Sequence, residues 1–401
     1  MTLRLYYDAP YNREFDASVV RVEPRDSGEE GRRRHAIWLD RTTFYPTTGG
    51  QPFDTGTLGS DRVTDVLEDE DGDVMHVVDG SSLHVGQPVH GVIDWPRRFD
   101  HMQQHTGQHV LSAAFVRLFG IKTVSFHLGA EASTIDLARE ATPAQIASAE
   151  DEANRIVWEN RPVTIRYASA DEAAALPLRK ESKRVGTLRL IDVEDYDLSA
   201  CGGTHVNQTG AIGVIAASGW ERFKGGQRVE FVCGGRALAR FRALRDATAA
   251  NVRLLSVLPA EVPAAIERLQ ADARDQKRAV TALQSELARY QGRELADAAE
   301  VHPQGRVVLQ AVDGDAPSLK SLASAVTSNA GFVAILVSRT SPSLVVASRS
   351  TDVLVSCHEI ITGLTKRFGG RGGGKPDLAQ GGGLNGPVEE ILAEARRLIA
   401  Q

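Results

Sequence analysis

The sequence has few cysteines, no long apolar run and no surplus of positive charge, and each absence removes a class of protein. Its three cysteines, Cys201, Cys233 and Cys357, are too few and too far apart for a disulfide framework. That fits a reduced, cytoplasmic setting in which thiols are free to bind metal. No window approaches about eighteen uninterrupted apolar residues, so no membrane span is expected. The start, "MTLRLYYDAPYNREFD", lacks an apolar run behind a basic end, so no signal peptide is expected either. With 46 Lys and Arg against 52 Asp and Glu, the net charge is −6, and a polyanionic partner must be met by local basic patches. Two such runs are present, "RKESKR" at 179–184 and "KRFGGRGGGK" at 366–375.

What is there reads as an α+β multidomain chain, since 401 residues exceed what one core organises. Residues 1–92 carry short strands such as "ASVVRVEP" and "DVMHVVDG" between Gly and Asp turns, the pattern of a small β-barrel. "TTFYPTTGGQPFDTG" among them is too rich in Gly, Pro and Thr for a regular element. Residues 93–235 form an α/β stretch: Asp94 as N-cap and Pro96 in the first turn start a helix that runs to Gly120. Strands "TVSFHLG" and "STIDL" and a helix over about 143–160 follow. Residues 236–300 are helical, with Ile266, Leu269, Ala273, Gln276, Val280, Leu283, Leu287 and Tyr290 on an a/d seam. Two readings of that seam stand: a homodimeric coiled coil through the 262–297 helix, or a hairpin with residues 238–258. Residues 301–401 read as a separate α/β domain whose near-continuous apolar runs, such as "GFVAILVSR", suit buried strands.

The run "HMQQHTGQHVL" at 101–111 sets His101, His105 and His109 four residues apart. Residues four apart on a helix differ by about 40° around the axis and can clasp one ion. The outer two histidines are about 80° and roughly 12 Å apart. One ion therefore takes His101 with His105, or His105 with His109. "CGGTH" adds Cys201 and His205, four apart in a tight loop. Together they make an N₃S donor set that zinc accepts in tetrahedral form, and the soft thiolate argues against magnesium or calcium. Zn²⁺ is the expected cofactor.

"HTGQHVLSAAF" followed by "CGGTHV" resembles the editing domain of alanyl-tRNA synthetase, and more closely the free-standing AlaX editing proteins. "TTFYPTTGGQPFDTG" is similar to the Gly-rich loop of those proteins, and "GRGGGKPDLAQGGG" resembles their C-terminal DHH-associated domain. These motifs stand in the family's order across nearly the whole chain. The resemblance implies a barrel-like domain with the Gly-rich loop over 1–92 and a zinc-binding editing domain over 93–235. A helical linker over 236–300 and a tRNA-binding domain over 301–401 would follow. The family's metal motif, matched on "HTGQHVL", implies the ligands His105, His109, Cys201 and His205. His101 falls outside it and is expected on the helix surface near the metal.

The resemblance further implies a trans-editing, ATP-independent hydrolase that deacylates tRNA(Ala) mischarged with serine, and with glycine. An adenylation core needs several hundred residues ahead of the editing domain, and about ninety precede it here, so charging of tRNA is not expected. "DHM" at 100–102 is not the Asp-His-His signature of the related phosphoesterases. Zinc would either activate water or orient the tRNA 3′ end, and four protein ligands, which nominally close a tetrahedral site, favour orientation. Sparing alanine calls for a hydrogen bond to the serine hydroxyl, with Thr42, Gln51, Ser125 and His127 as candidates. Thr42→Val or Ser125→Ala is then expected to reduce hydrolysis of the serine ester more than of the glycine ester. Gly49 and Gly50 would let the backbone approach the aminoacyl end. Lys366, Arg367, Arg371 and Lys375 would meet tRNA phosphates. The alternatives are a threonine-system substrate and a non-catalytic zinc-stabilised tRNA binder.

Overall fold

The computed structural model describes residues 1–25, 34–179 and 186–400. Apart from Arg179, the basic run at 179–184 lies outside the described residues. Contacts divide the chain into two units, Met1–Ala250 and Asn251–Gln401. The segments read from sequence as 1–92 and 93–235 thus share one unit.

In the first unit the short strands close on themselves. They are β1 (Glu14–Arg25), β2 (Arg34–Leu39), β3 (Gly56–Leu58), β4 (Asp61–Glu68), β5 (Val74–Asp79) and β6 (Pro88–Ile93). Antiparallel pairing in the order β1-β2-β5-β4-β3-β6 makes a closed barrel. Phe15, Ala17 and Val19 on β1 point inward while their neighbours face out, the period of two that a barrel wall requires. The segment between Thr43 and Thr55 stays irregular and leads back into β3.

The barrel hands the chain to α1 (Trp95–Phe119). Asp94 caps it by accepting from the Arg97 amide at 3.3 Å, and Gly120 ends it in the left-handed region at φ 65°. Residues from His101 to Phe115 are almost all buried, because α1 is the central element of this half of the unit. It packs on α2 (Pro143–Glu159) and on a four-stranded sheet of β7 (Thr123–Leu128), β8 (Ser133–Leu137), β12 (Ile215–Phe223) and β13 (Gly226–Cys233). A second sheet, β9 (Val163–Ala168), β10 (Leu188–Val193) and β11 (Asp197–Ala200), brings the end of β11 against α1. "CGGTH" follows β11 directly, which is how two distant motifs meet. Helix α3 (Gly235–Leu255) continues the chain.

The second unit opens on α4 (Val262–Asp297). Its seam residues Ile266, Leu269, Val280, Leu283, Leu287 and Tyr290 are 42% to 65% exposed in the single chain. Its buried side is small, with Ala288, Gly292 and Ala296 set close against α5 (Ala316–Thr327). A sheet follows in the order β14 (Glu300–His302), β15 (Gly305–Val312), β16 (Phe332–Ser338), β17 (Ser343–Arg349), β19 (Leu378–Leu384), β18 (Arg371–Gly374). Every residue of β16 is buried, as its apolar run predicts. The glycine-rich segment is itself a hairpin, β18 with β19, at the sheet edge. Helices α6 (Cys357–Phe368) and α7 (Val388–Ile399) complete the unit.

Candidate metal centre

One turn of α1 and the loop after β11 bring four donors together. The ligand atoms of His105, His109, Cys201 and His205 all lie within 4.8 Å of one another. The Nε2 atoms of His105 and His205 each stand 3.3 Å from Cys201 Sγ. Ligands around one tetrahedral zinc stand roughly 3.5 Å apart, so the spacing suits that ion.

Each imidazole is held from behind. His105 Nδ1 donates to Gln51 Oε1 at 2.8 Å, His109 Nδ1 to Asp197 Oδ2 at 3.1 Å, and His205 Nδ1 to Thr106 Oγ1 at 3.2 Å. All three rings therefore carry their proton on Nδ1 and turn Nε2 inward, the tautomer a metal ligand needs. Gln51 is itself fixed, taking the Thr204 amide at 3.1 Å and donating to the Thr204 hydroxyl at 2.8 Å. Close approach explains the loop's glycine: a Cβ on Gly203 would sit 2.2 Å from His105 Cε1.

Electrostatics favours the deprotonated donors. Burial opposes ionisation of Cys201, but His105 and His205 beside it bring its pKa well below the ordinary thiol value. Burial and the neighbouring His105 push His205 down to about 3. A thiolate and a neutral imidazole are the forms that bind metal. Burial also works against a charged His109, yet its bond to Asp197 and the Cys201 sulfur raise it. Asp197 is buried too, but His109 and Arg179 hold its carboxyl at about 2. Because an unfolded aspartate titrates near about 3.9, Asp197 contributes about 2 kcal/mol that is complete above that value and is lost as the pH falls towards 2. Asp197→Asn should flatten that acid limb in the urea stability of metal-free protein, and should weaken zinc binding by about 10–100-fold in a chelator competition. Unchanged affinity would mean that His109 needs no anchor.

The other candidate residues fall in different places. Gly49 and Gly50 have φ of 55° and 85°. Gly49 lines a cavity of about 310 Å³ that Cys201 and Phe126 also line, whereas Gly50 is pressed on the Phe126 ring. Phe126 also packs on His105, with ring centroids 5.5 Å apart. Strand alternation therefore sends Ser125 and His127 to the opposite face of β7, away from the cluster. There Ser125 bonds Asp136, which Arg228 also holds. The structure does not bring either residue to the donors. Nor does it bring Thr42, whose side chain is fully buried in the barrel. Its hydroxyl meets His76 Nε2 at 2.8 Å and accepts from the Phe44 amide at 3.1 Å. Thr42→Val is now expected to cost about 1–3 kcal/mol in urea unfolding by stranding those partners. A change in serine selectivity at unchanged stability would contradict this placement. His101, expected on the helix surface, is only 3% exposed, and burial pushes its pKa down to about 4. In the second unit Lys366, Arg367, Arg371 and Lys375 are exposed, though Arg367 is paired with Glu394.

Sequence reasoning missed Asp197 and Arg179, which no spacing rule connects to the histidines, and gave no role to Thr106 although it follows His105 directly. The available hint was an acid opening the short strand that runs into "CGGTH".

Comparison with known proteins follows the same segments. Residues 3–97 match the class II (A) tRNA synthetases, 188–230 the threonyl and alanyl tRNA synthetase second additional domain, and 304–401 the DHHA1 domain. The chain is 31% identical over 395 residues to the alanyl-tRNA editing protein AlaX-L of Pyrococcus horikoshii, covering 95% of this chain and 94% of that one. It is 35% identical over 408 residues to the alanine–tRNA ligase of Natronomonas pharaonis, covering 98% of this chain and 43% of the ligase. The ligase of Methanoregula boonei is 33% identical over 422 residues, with 99% and 44% covered. The chain thus spans less than half the length of these ligases.

Proposed function

The chain belongs to the AlaX family of alanyl-tRNA editing proteins, in its long form, and from that premise we propose that it deacylates mischarged tRNA(Ala) in trans. The substrate read here is the serine ester foremost and the glycine ester with it, cleaved in the cytoplasm without ATP. The observation that carries the reading is the buried His105, His109, Cys201 and His205 cluster, opening through Cys201 on a cavity walled by the Gly-rich loop.

Zinc is the metal these donors fit, and with all four in place it would mainly orient the aminoacylated 3′ end and set its positive charge near the ester. The chain's own contribution is orientation. Gln51, Asp197 and Thr106 lock the imidazoles. Gly49 keeps the cavity wall free of a side chain, and the Phe126 ring lies against His105.

Lys366, Arg371 and Lys375 near the glycine hairpin are read as phosphate contacts, so binding of tRNA should weaken steeply with salt. The exposed α4 seam is read as a homodimer contact. A monomeric mass by light scattering contradicts that part. The 188–230 match is shared with threonyl-tRNA synthetases, so a threonine-system substrate is the second reading.

The deciding assay is incubation with tRNA(Ala) carrying serine, glycine or alanine, and with seryl-tRNA(Thr). Loss of the serine ester from tRNA(Ala), with the alanine ester spared, supports the first reading. Hydrolysis of none of them favours a binding protein.

A further inference from the structure

Resting on that reading, one residue of the cavity stands out as lacking its partner. Arg189 on β10 is only 8% exposed. Its Nε donates to the Tyr7 carbonyl at 2.9 Å, and its Nη1 to the carbonyls of Cys201 at 2.7 Å and Gly203 at 3.0 Å. Nη2 is buried without a hydrogen bond of normal geometry, and the Tyr167 hydroxyl, which donates to Asp8 at 2.7 Å, sits beside the guanidinium. Among the described residues this guanidinium meets no carboxylate in an ion pair or hydrogen bond.

A buried cation with an orphaned donor is costly, and native structures seldom keep one without use. Two surroundings suggest the use. Arg189 and Cys201 line the same cavity of about 310 Å³, at the small end of ligand sites. Its other walls include the rings of Tyr7, Tyr167 and Phe126. The guanidinium lies 5.4 Å from the Tyr7 ring centroid. Aromatic walls with one cation are the composition that accepts a nucleobase and a nearby oxygen anion or carbonyl.

We propose that Arg189 is a substrate-binding residue whose free Nη2 donates to an oxygen of the aminoacylated 3′-terminal nucleotide. The acceptor is either the terminal phosphate or the acyl carbonyl. Since Nη1 holds the carbonyl of Cys201 itself, the same side chain fixes that oxygen relative to the donor cluster.

The test uses zinc-loaded full-length protein and two probes in calorimetry. One is adenosine 5′-monophosphate, and the other is 3′-seryl-amido-3′-deoxyadenosine, an amide that lacks the phosphate. Arg189→Gln is expected to lose about 10–100-fold in affinity for the probe carrying the recognised oxygen, while Arg189→Lys recovers part of it. Loss confined to the monophosphate assigns the phosphate, and loss confined to the amide assigns the carbonyl. Variants that keep their zinc and bind both probes as wild type does overturn the proposal. Should the glutamine variant lose its zinc, a crystal structure of wild type with the amide or the monophosphate decides. Nη2 within about 3.2 Å of a probe oxygen supports the proposal, and Nη2 still without a partner in both complexes overturns it. Wild-type deacylation measured alongside separates the claims: activity with an indifferent Arg189 defeats only this inference, and inactivity on every charged tRNA defeats the reading beneath it.

Discussion

Cys201→Ala is expected to release zinc and to slow deacylation of seryl-tRNA(Ala) by on the order of 10³-fold, equivalent to several kcal/mol of lost transition-state stabilisation. The sulfur stands 3.3 Å from two of the imidazole nitrogens and is the one anionic donor of the set. Without it three neutral imidazoles would hold a dication in a buried site, a poor exchange for a thiolate. Metal content by plasma mass spectrometry and single-turnover deacylation together check this. Zinc retained at one per chain with an unchanged rate would show that the sulfur is not a ligand.

Breaking the Arg98–Asp54 pair is expected to destabilise the first unit by about 3–5 kcal/mol, because removing one partner leaves a buried uncompensated charge. Both side chains are fully buried. Arg98 reaches from α1 to Asp54 and also donates to the carbonyls of Thr43 and Pro10. Asp54 in turn accepts the Tyr45 amide at 2.7 Å. These contacts pin both ends of the segment that carries Gly49, Gly50 and Gln51, so the loop's position over His105 depends on them. Arg98→Ala should therefore lower the urea midpoint and zinc affinity together. The double change Arg98→Met with Asp54→Leu should recover only part of the stability, because the carbonyls of Thr43 and Pro10 and the Tyr45 amide lose their partners. An Arg98→Ala protein as stable as wild type would show that the pair is not needed to hold the loop.

The sequence was informative wherever local chemistry decides the structure. Asp94, Pro96 and Gly120 bound α1 because capping and the left-handed stop are local properties. Short strands with turns announced the barrel, though not the strand order that closes it, which depends on distant pairing. Metal chemistry restricts residue type and spacing, which made the cluster legible up to the choice between His101 and His109 as the partner of His105, and the family motif chose His109.

What escaped were facts of side-chain direction. Ser125 and Phe126 are neighbours, yet a strand turns successive side chains to opposite faces, and only a partner strand's register tells which face is inside. Thr42 looked like a loop hydroxyl, but the barrel's closure seals it against His76, whose own pKa burial pushes down to about 4. His101 lost its exposure because α1 is surrounded rather than resting on a surface. Asp197 reaches His109 across 88 residues of sequence, a separation that no periodicity spans.

The most direct test of the central claim is single-turnover hydrolysis of seryl-tRNA(Ala) by protein stripped of metal with a chelator and then reconstituted with one zinc per chain. The account predicts negligible hydrolysis when stripped, recovery on reconstitution, and sparing of alanyl-tRNA(Ala) throughout. Full hydrolysis by the stripped protein, or equal hydrolysis of the alanine ester, would contradict it.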